Sequence, residues 1–196
     1  MKNVTLIVFE GVTSKWEDTR RVFDYCRRLF DFGAEHYITR DFSKKECMAF
    51  EMYGFLPLVE TSHALICTWD GFIVHPHLWR ERWLEYDFIG APWPASWGFT
   101  HQVGNTGFTL QSRKFLQALH NHRHLYDQDN DISDAWMCRT MHERFTSLGL
   151  RYAPVAEAAA FSWEHHIEGG FAGPDKSFGF HGWVAGKNKQ HYYSIL

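Results

Sequence analysis

The chain has 196 residues, 45% hydrophobic and 22% charged, with a formal net charge of −3. That length accommodates one domain, residues 1–196, with a substantial core, and the composition excludes an intrinsically disordered chain. The charge argues against a protein that coats nucleic acid with a basic surface, and no apolar run approaches a membrane span.

The opening MKNVTLIVFEGV lacks the features of a signal peptide, because its apolar run is short and a Glu follows it, so a soluble, cytoplasmic protein is expected. Within it, the continuous apolar run Val4 to Phe9 reads as a central parallel strand. Ser14 and Glu17 have capping-box spacing and predict a helix that gathers Val22, Phe23, Cys26, Leu29 and Phe30 on one face. Glu17 with Arg21, and Asp24 with Arg28, are placed to pair on the other face, and Gly33 is the expected stop. His36 to Thr39 reads as a second strand. Ser43 and Glu46 form another capping box, opening a helix to about Tyr53. Ala64 to Cys67 is a third, buried strand. The β-α-β-α order predicts a single-domain, three-layer α/β/α fold with a mostly parallel sheet and right-handed crossovers.

Leu78 to Leu84 predicts a short helix. Phe88 to Pro94 is irregular because of its Gly and two Pro. Val103 to Leu110 is extended and broken by Gly104 and Gly107, and Ser112 caps a helix carrying Phe115, Leu116 and Leu119. After a polar loop, Ser133 reads as the N-cap of a helix ending at Gly149, with Asp134 in its first turn. Leu150 to Ala153 reads as a short strand.

In such a fold the residues just past the strand ends share one rim, where open α/β sheets bind ligands. Glu10, Arg40, Asp41 and Asp70 occupy those positions. Asp70-Gly71 has two readings, an ordinary tight turn or a ligand site. No Gly-rich dinucleotide fingerprint follows the first strand, and no P-loop, H-E-x-x-H or G-x-S-x-G occurs, which removes the common nucleotide-binding, zinc-protease and serine-hydrolase motifs. His120, His122 and His124 read as solvated, while His75 with His77, and the pair His165-His166, could each supply two metal ligands but show no third. The four Cys have no C-x-x-C spacing and read as reduced and buried. Nine Trp exceed the needs of a core, and the surplus either stacks on sugars or bases or makes a dense interior.

The segments WDGF, YDFIGAPW, VGNTGFTLQSR, SDAWMCR and FGFHG occur in that order between about Ser62 and Gly182. Together they resemble a bacterial and viral family of glycosyltransferase-like domains, itself similar to GT-A nucleotide-sugar transferases. The resemblance implies transfer of a sugar from a nucleotide-sugar to a saccharide or other hydroxyl acceptor, with a divalent metal, Mn²⁺ or Mg²⁺, as cofactor. It implies Asp70 as the acid of a D-x-D whose first acid is absent here, His181 as the second metal ligand, and Asp134 as the general base of an inverting reaction. Glu10, Arg40, Asp41 and Trp69 are then expected on the donor side. Trp93, Trp97, Asn105, Thr106 and Gly107 are expected on the acceptor side. Two alternatives accompany this reading: a catalytically inactive GT-A-like binding module, and a transferase that glycosylates hydroxylated bases in DNA.

Overall fold

The computed structural model describes residues 1–127, 129–170, 173, 175–182 and 195–196. It is a mixed α/β structure. Strands β1 (Val4–Glu10), β2 (Ala34–Thr39) and β3 (His63–Cys67) are joined through helices α1 (Trp16–Cys26) and α2 (Lys44–Tyr53). After β4 (Gly71–Ile73) and β5 (Phe88–Ile89), β6 (Phe108–Ser112) runs straight into α3 (Arg113–His122). The chain continues through α4 (Ser133–Ala135), α5 (His142–Ser147) and α6 (Val155–Phe161) into β7 (Ser162–Trp163) and β8 (Gly179–His181).

The main sheet has the order β2-β1-β3-β6-β5. β1 pairs in parallel with both β2 and β3, as the β-α-β-α order predicts, whereas β6 is antiparallel to both of its neighbours. Every residue of β1 is buried, because it lies between two strands and under helices, while β2 is half-buried throughout, as befits an edge. A second sheet, β4-β8-β7, is built from strands of two or three residues.

The interior is dense in Phe, while of the described Trp only Trp83, Trp93 and Trp136 are buried. Trp83, Phe161 and Phe178 pack on one another, and Phe108 stacks on Phe161 at 5.0 Å. A second cluster joins Phe9, Phe42, Phe50 and Phe55. Trp83 satisfies its indole N–H by donating to Glu157 at 2.9 Å.

Several expectations need correction. The Ser43–Glu46 capping box forms, but Ser14 lies inside a 3-10 turn (Thr13–Lys15) and caps nothing. α1 ends at Cys26, well before Gly33, which leaves Phe30 free to turn onto Phe32, Trp79 and Phe178. Asp24 pairs with Arg20 instead of Arg28. Leu78 to Leu84 is two 3-10 turns (Pro76–Leu78 and Glu81–Glu85). Leu150 to Ala153 makes only a bridge at Tyr152, since Pro154 offers no further N–H to extend a ladder. Of the three clustered histidines only His124 is exposed; His122 packs on Phe145 with Nδ1 on the Ala118 carbonyl. All four Cys are free, with Cys47 only half-buried.

Candidate functional site

The carboxyl ends of β1, β2 and β3 lie side by side, and the reversed direction of β6 brings the loop before it to the same rim. Cys67, the last residue of β3, is paired with Phe108, the first of β6. Beyond Cys67 the chain makes a tight turn in which Thr68 and Gly71 exchange backbone hydrogen bonds of 3.0 and 3.2 Å. Asp70 is therefore a turn residue. The same turn projects its carboxylate toward the loop before β6, and the Thr68 hydroxyl lies 3.0 Å from both Asp70 Oδ1 and the Gly107 carbonyl.

The small sheet brings in the chain's far end. β4 and β8 pair so that Gly71 faces His181, and the Gly182 N–H donates to the Asp70 carbonyl at 2.9 Å. His181 Nε2 then lies 3.8 Å from Asp70 Oδ1, and its Nδ1 lies 3.3 Å from Glu164 Oε1. Gly107 is essential to this approach: a Cβ there would sit 2.0 Å from His181 Nε2.

Asn105 organises the loop. It is buried and holds a positive φ of 74°, a conformation Asn tolerates better than most residues. Its Oδ1 accepts from the Gly107 N–H at 2.9 Å, and its Nδ2 donates to Glu164 Oε2 at 2.7 Å while contacting His181 Nδ1.

Asp134 enters from the other side. Ile132, not Ser133, is the N-cap of α4, and the expected long helix is divided into α4, a π turn (Trp136–Thr140) and α5. The Ser133 hydroxyl is engaged by Glu51 of α2, whose Oε2 also accepts from Thr106 at 3.3 Å. Glu51 thus ties the amino end of α4 to the loop before β6.

Electrostatically the cluster is coupled. Burial pushes His181 down, but the Glu164 hydrogen bond and the charges of Asp70, Glu164 and Asp134 outweigh it and raise its pKa. Burial pushes Glu164 up, yet His181 and Asn105 hold it below the usual carboxylate range. Asp134 is raised by burial, against the opposing Ala135 N–H, with Glu164 adding to the rise. Glu51 is pushed up to about 7, first by burial and further by Asp134. Glu10 is raised by burial and by the Asp70 charge, although it accepts from the Val12 N–H at 2.7 Å.

The remaining predicted residues are more scattered. Lys15 Nζ lies 3.9 Å from the Trp69 ring centroid, beside Asp70. Arg40 is exposed over Phe42, with its backbone N–H on the Glu10 carbonyl, and Asp41 accepts from Thr13. Trp93 is buried, with its ring occupying the space a Gly104 side chain would need. Trp97 is 47% exposed and packs against Phe99 and His165. Glu164 and Glu51 are site residues that the motifs did not reveal; the only hint for Glu164 was its place before the His165-His166 pair.

Asp70 Oδ1 and His181 Nε2 are separated by a distance that two ligands of one ion can span, each about 2.0–2.3 Å from it. They fit as a pair of ligands, but among the described residues no group of three or more His, Cys, Asp or Glu is arranged to hold a metal. Nor is any helix among them long and apolar enough to cross a membrane.

The fold has a solved counterpart. A glycosyltransferase involved in the glycosylation of the major capsid of PBCV-1 is similar over 97% of this chain and 98% of its own, with a TM-score of 0.61 at 10% identity. A197 from STIV matches 72% of this chain and 78% of its own at 11% identity, with a TM-score of 0.45. No curated protein matches the sequence. A family model described as Protein of unknown function (DUF5672) matches residues 33–181, from the end of α1's connection to β8, and the chain belongs to that family.

Proposed function

We propose that this protein is a glycosyltransferase that moves a sugar from a nucleotide-sugar to a hydroxyl acceptor. The observation that carries the reading is the convergence of Asp70, His181 and Asp134 from three distant parts of the chain on one rim of the sheet. The likeness in fold to a capsid glycosyltransferase supports it, and a GT-A-like, three-layer arrangement belongs to the same reading. Donor contacts fall to the Glu10, Lys15 and Trp69 side, where an aromatic face and an ammonium suit a base or sugar and a phosphate. Asp70 and His181 would hold a divalent Mn²⁺ or Mg²⁺, whose positive charge offsets that of the departing diphosphate.

Asp134 takes the proton of the acceptor hydroxyl. Its raised pKa makes it a better base than an exposed Asp, and it retains partial exposure through which an acceptor can reach it. Glu51 and Ser133 fix the start of α4 and so its position.

Asp134→Asn should leave nucleotide-sugar affinity intact and lower kcat by about 10²–10⁴-fold, the usual worth of a positioned base. Product analysis by NMR should show the anomer opposite to the donor's. Near-normal turnover by Asp134→Asn, or a retained anomer, rejects this assignment. The missing first acid of the D-x-D favours a second reading, an inactive binding module. It predicts a melting-temperature rise with nucleotide-sugar and no hydrolysis or transfer.

A further inference from the structure

Beside Asp134 a cleft of about 540 Å³ opens between the loop at residues 98–101 and the π turn. It lies within the size range of small-ligand pockets. Ala135, the residue after Asp134, forms part of its wall, so the cleft adjoins the start of α4.

Its walls have a distinctive chemistry. Phe99 contributes an aromatic surface, steadied by ring contacts with Trp93 and Trp97. The Arg139 guanidinium lies 3.7 Å from the Phe99 ring centroid, which fixes its position without consuming its N–H donors. Among the described residues no acceptor takes those donors. Thr100 and Thr140 add hydroxyls, and Glu143 adds a carboxylate on the same wall as Arg139.

The backbone builds this wall deliberately. Met141 N–H donates to the Trp136 carbonyl at 2.9 Å, an i to i+5 bond. The π turn puts Trp136, Met137 and Cys138 in the core and leaves Arg139 and Thr140 together at the surface beside the cleft. Such turns are rare and concentrate at functional sites.

A fixed guanidinium and a carboxylate on one wall select against either sign of ligand charge. An anion meets Glu143 and a cation meets Arg139. A neutral polyol suits both, because each hydroxyl can accept from Arg139 or donate to Glu143. We propose that this cleft binds the acceptor as a neutral saccharide, with Arg139 and Glu143 reading its hydroxyls and Phe99 holding the guanidinium in place. The assignment of the saccharide as acceptor rests on the transferase reading; the saccharide site itself does not.

The test uses the full chain and the variants Arg139→Ala and Glu143→Gln, both exposed positions. Saturation-transfer NMR is run with a panel of neutral methyl glycosides and disaccharides, and with matched uronic-acid disaccharides. Melting shifts with nucleotide-sugars and Mn²⁺ are recorded in parallel. At least one neutral saccharide should bind the wild type, and each variant should weaken it about tenfold, the worth of one charge-assisted hydrogen bond. The donor-induced melting shift should be the same in all three proteins. Absence of saccharide binding, preference for the uronic acids, or binding that both variants leave unchanged overturns the proposal. If nucleotide-sugars bind and the variants leave saccharide binding untouched, the cleft assignment fails and the transferase reading survives. If neutral saccharides bind through Arg139 and Glu143 while no nucleotide-sugar raises the melting temperature, the cleft stands as a saccharide site and the transferase reading falls.

Discussion

Gly107 is the position at which the cluster is most sensitive to a single methyl group. The His181 ring occupies the space a side chain would take, and the Gly107 carbonyl lies 2.5 Å from where a Gly71 Cβ would stand. Strand, turn and imidazole are therefore packed at van der Waals limits around two glycines. Gly107→Ala should displace His181 and lower stability by about 1–3 kcal/mol, the usual cost of overpacking a filled interior. Denaturant unfolding would measure that loss, and an unchanged midpoint would mean that the imidazole moves aside freely. Asn105 shows the complementary case: its side chain spans Gly107, Glu164 and His181, so it is a structural hub of the loop.

At the scale of elements, the two Ser-x-x-Glu spacings separate pattern from outcome. Ser43 caps α2, accepting from the Glu46 N–H while Glu46 Oε2 accepts from the Ser43 N–H at 2.8 Å. Ser14 makes no cap because a 3-10 turn precedes α1. Ser43→Ala should therefore cost about 1 kcal/mol, while Ser14→Ala should leave the unfolding midpoint unchanged. β1 and β3 were readable because each carries a run of apolar residues long enough to mark it, and β2 from its place between the two helix signals. The second sheet was not: strands of two and three residues hold barely one period of alternation, and what aligns them is packing, such as Gly179 beneath the Phe108 ring. That is why the FGFHG text could suggest His181, but Glu164, which the same sheet delivers, went unseen. Glu51 was hidden differently. It sits in a helix with weak apolar patterning, and only the approach of α4 and Thr106 distinguishes it from a solvated glutamate.

Across the whole molecule, the formal charge of −3 is unevenly felt at the rim, where Glu10, Asp70, Asp134 and Glu164 outnumber His181 and Lys15. A diphosphate approaching that rim meets excess negative charge, so donor binding should depend on a divalent cation. His181 is held protonated above its ordinary range by Glu164, Asp70 and Asp134, against burial. A cation binding its imidazole must displace that proton, so Mn²⁺ affinity should rise with pH through and above 6.5. Calorimetry in buffers of different ionisation enthalpy would count the proton released; pH-independent affinity with no release would place Mn²⁺ away from His181.

The hydrogen bond from Gly182 to the Asp70 carbonyl has a consequence for following the site in solution. That amide hydrogen can trade with deuterium only when β8 parts from the turn after β3, because its acceptor belongs to that turn, distant in sequence. Its exchange rate therefore reads how often the two halves of the cluster separate, with no substrate present and no turnover required. The protein carries a native isotope clock at the joint between Asp70 and His181.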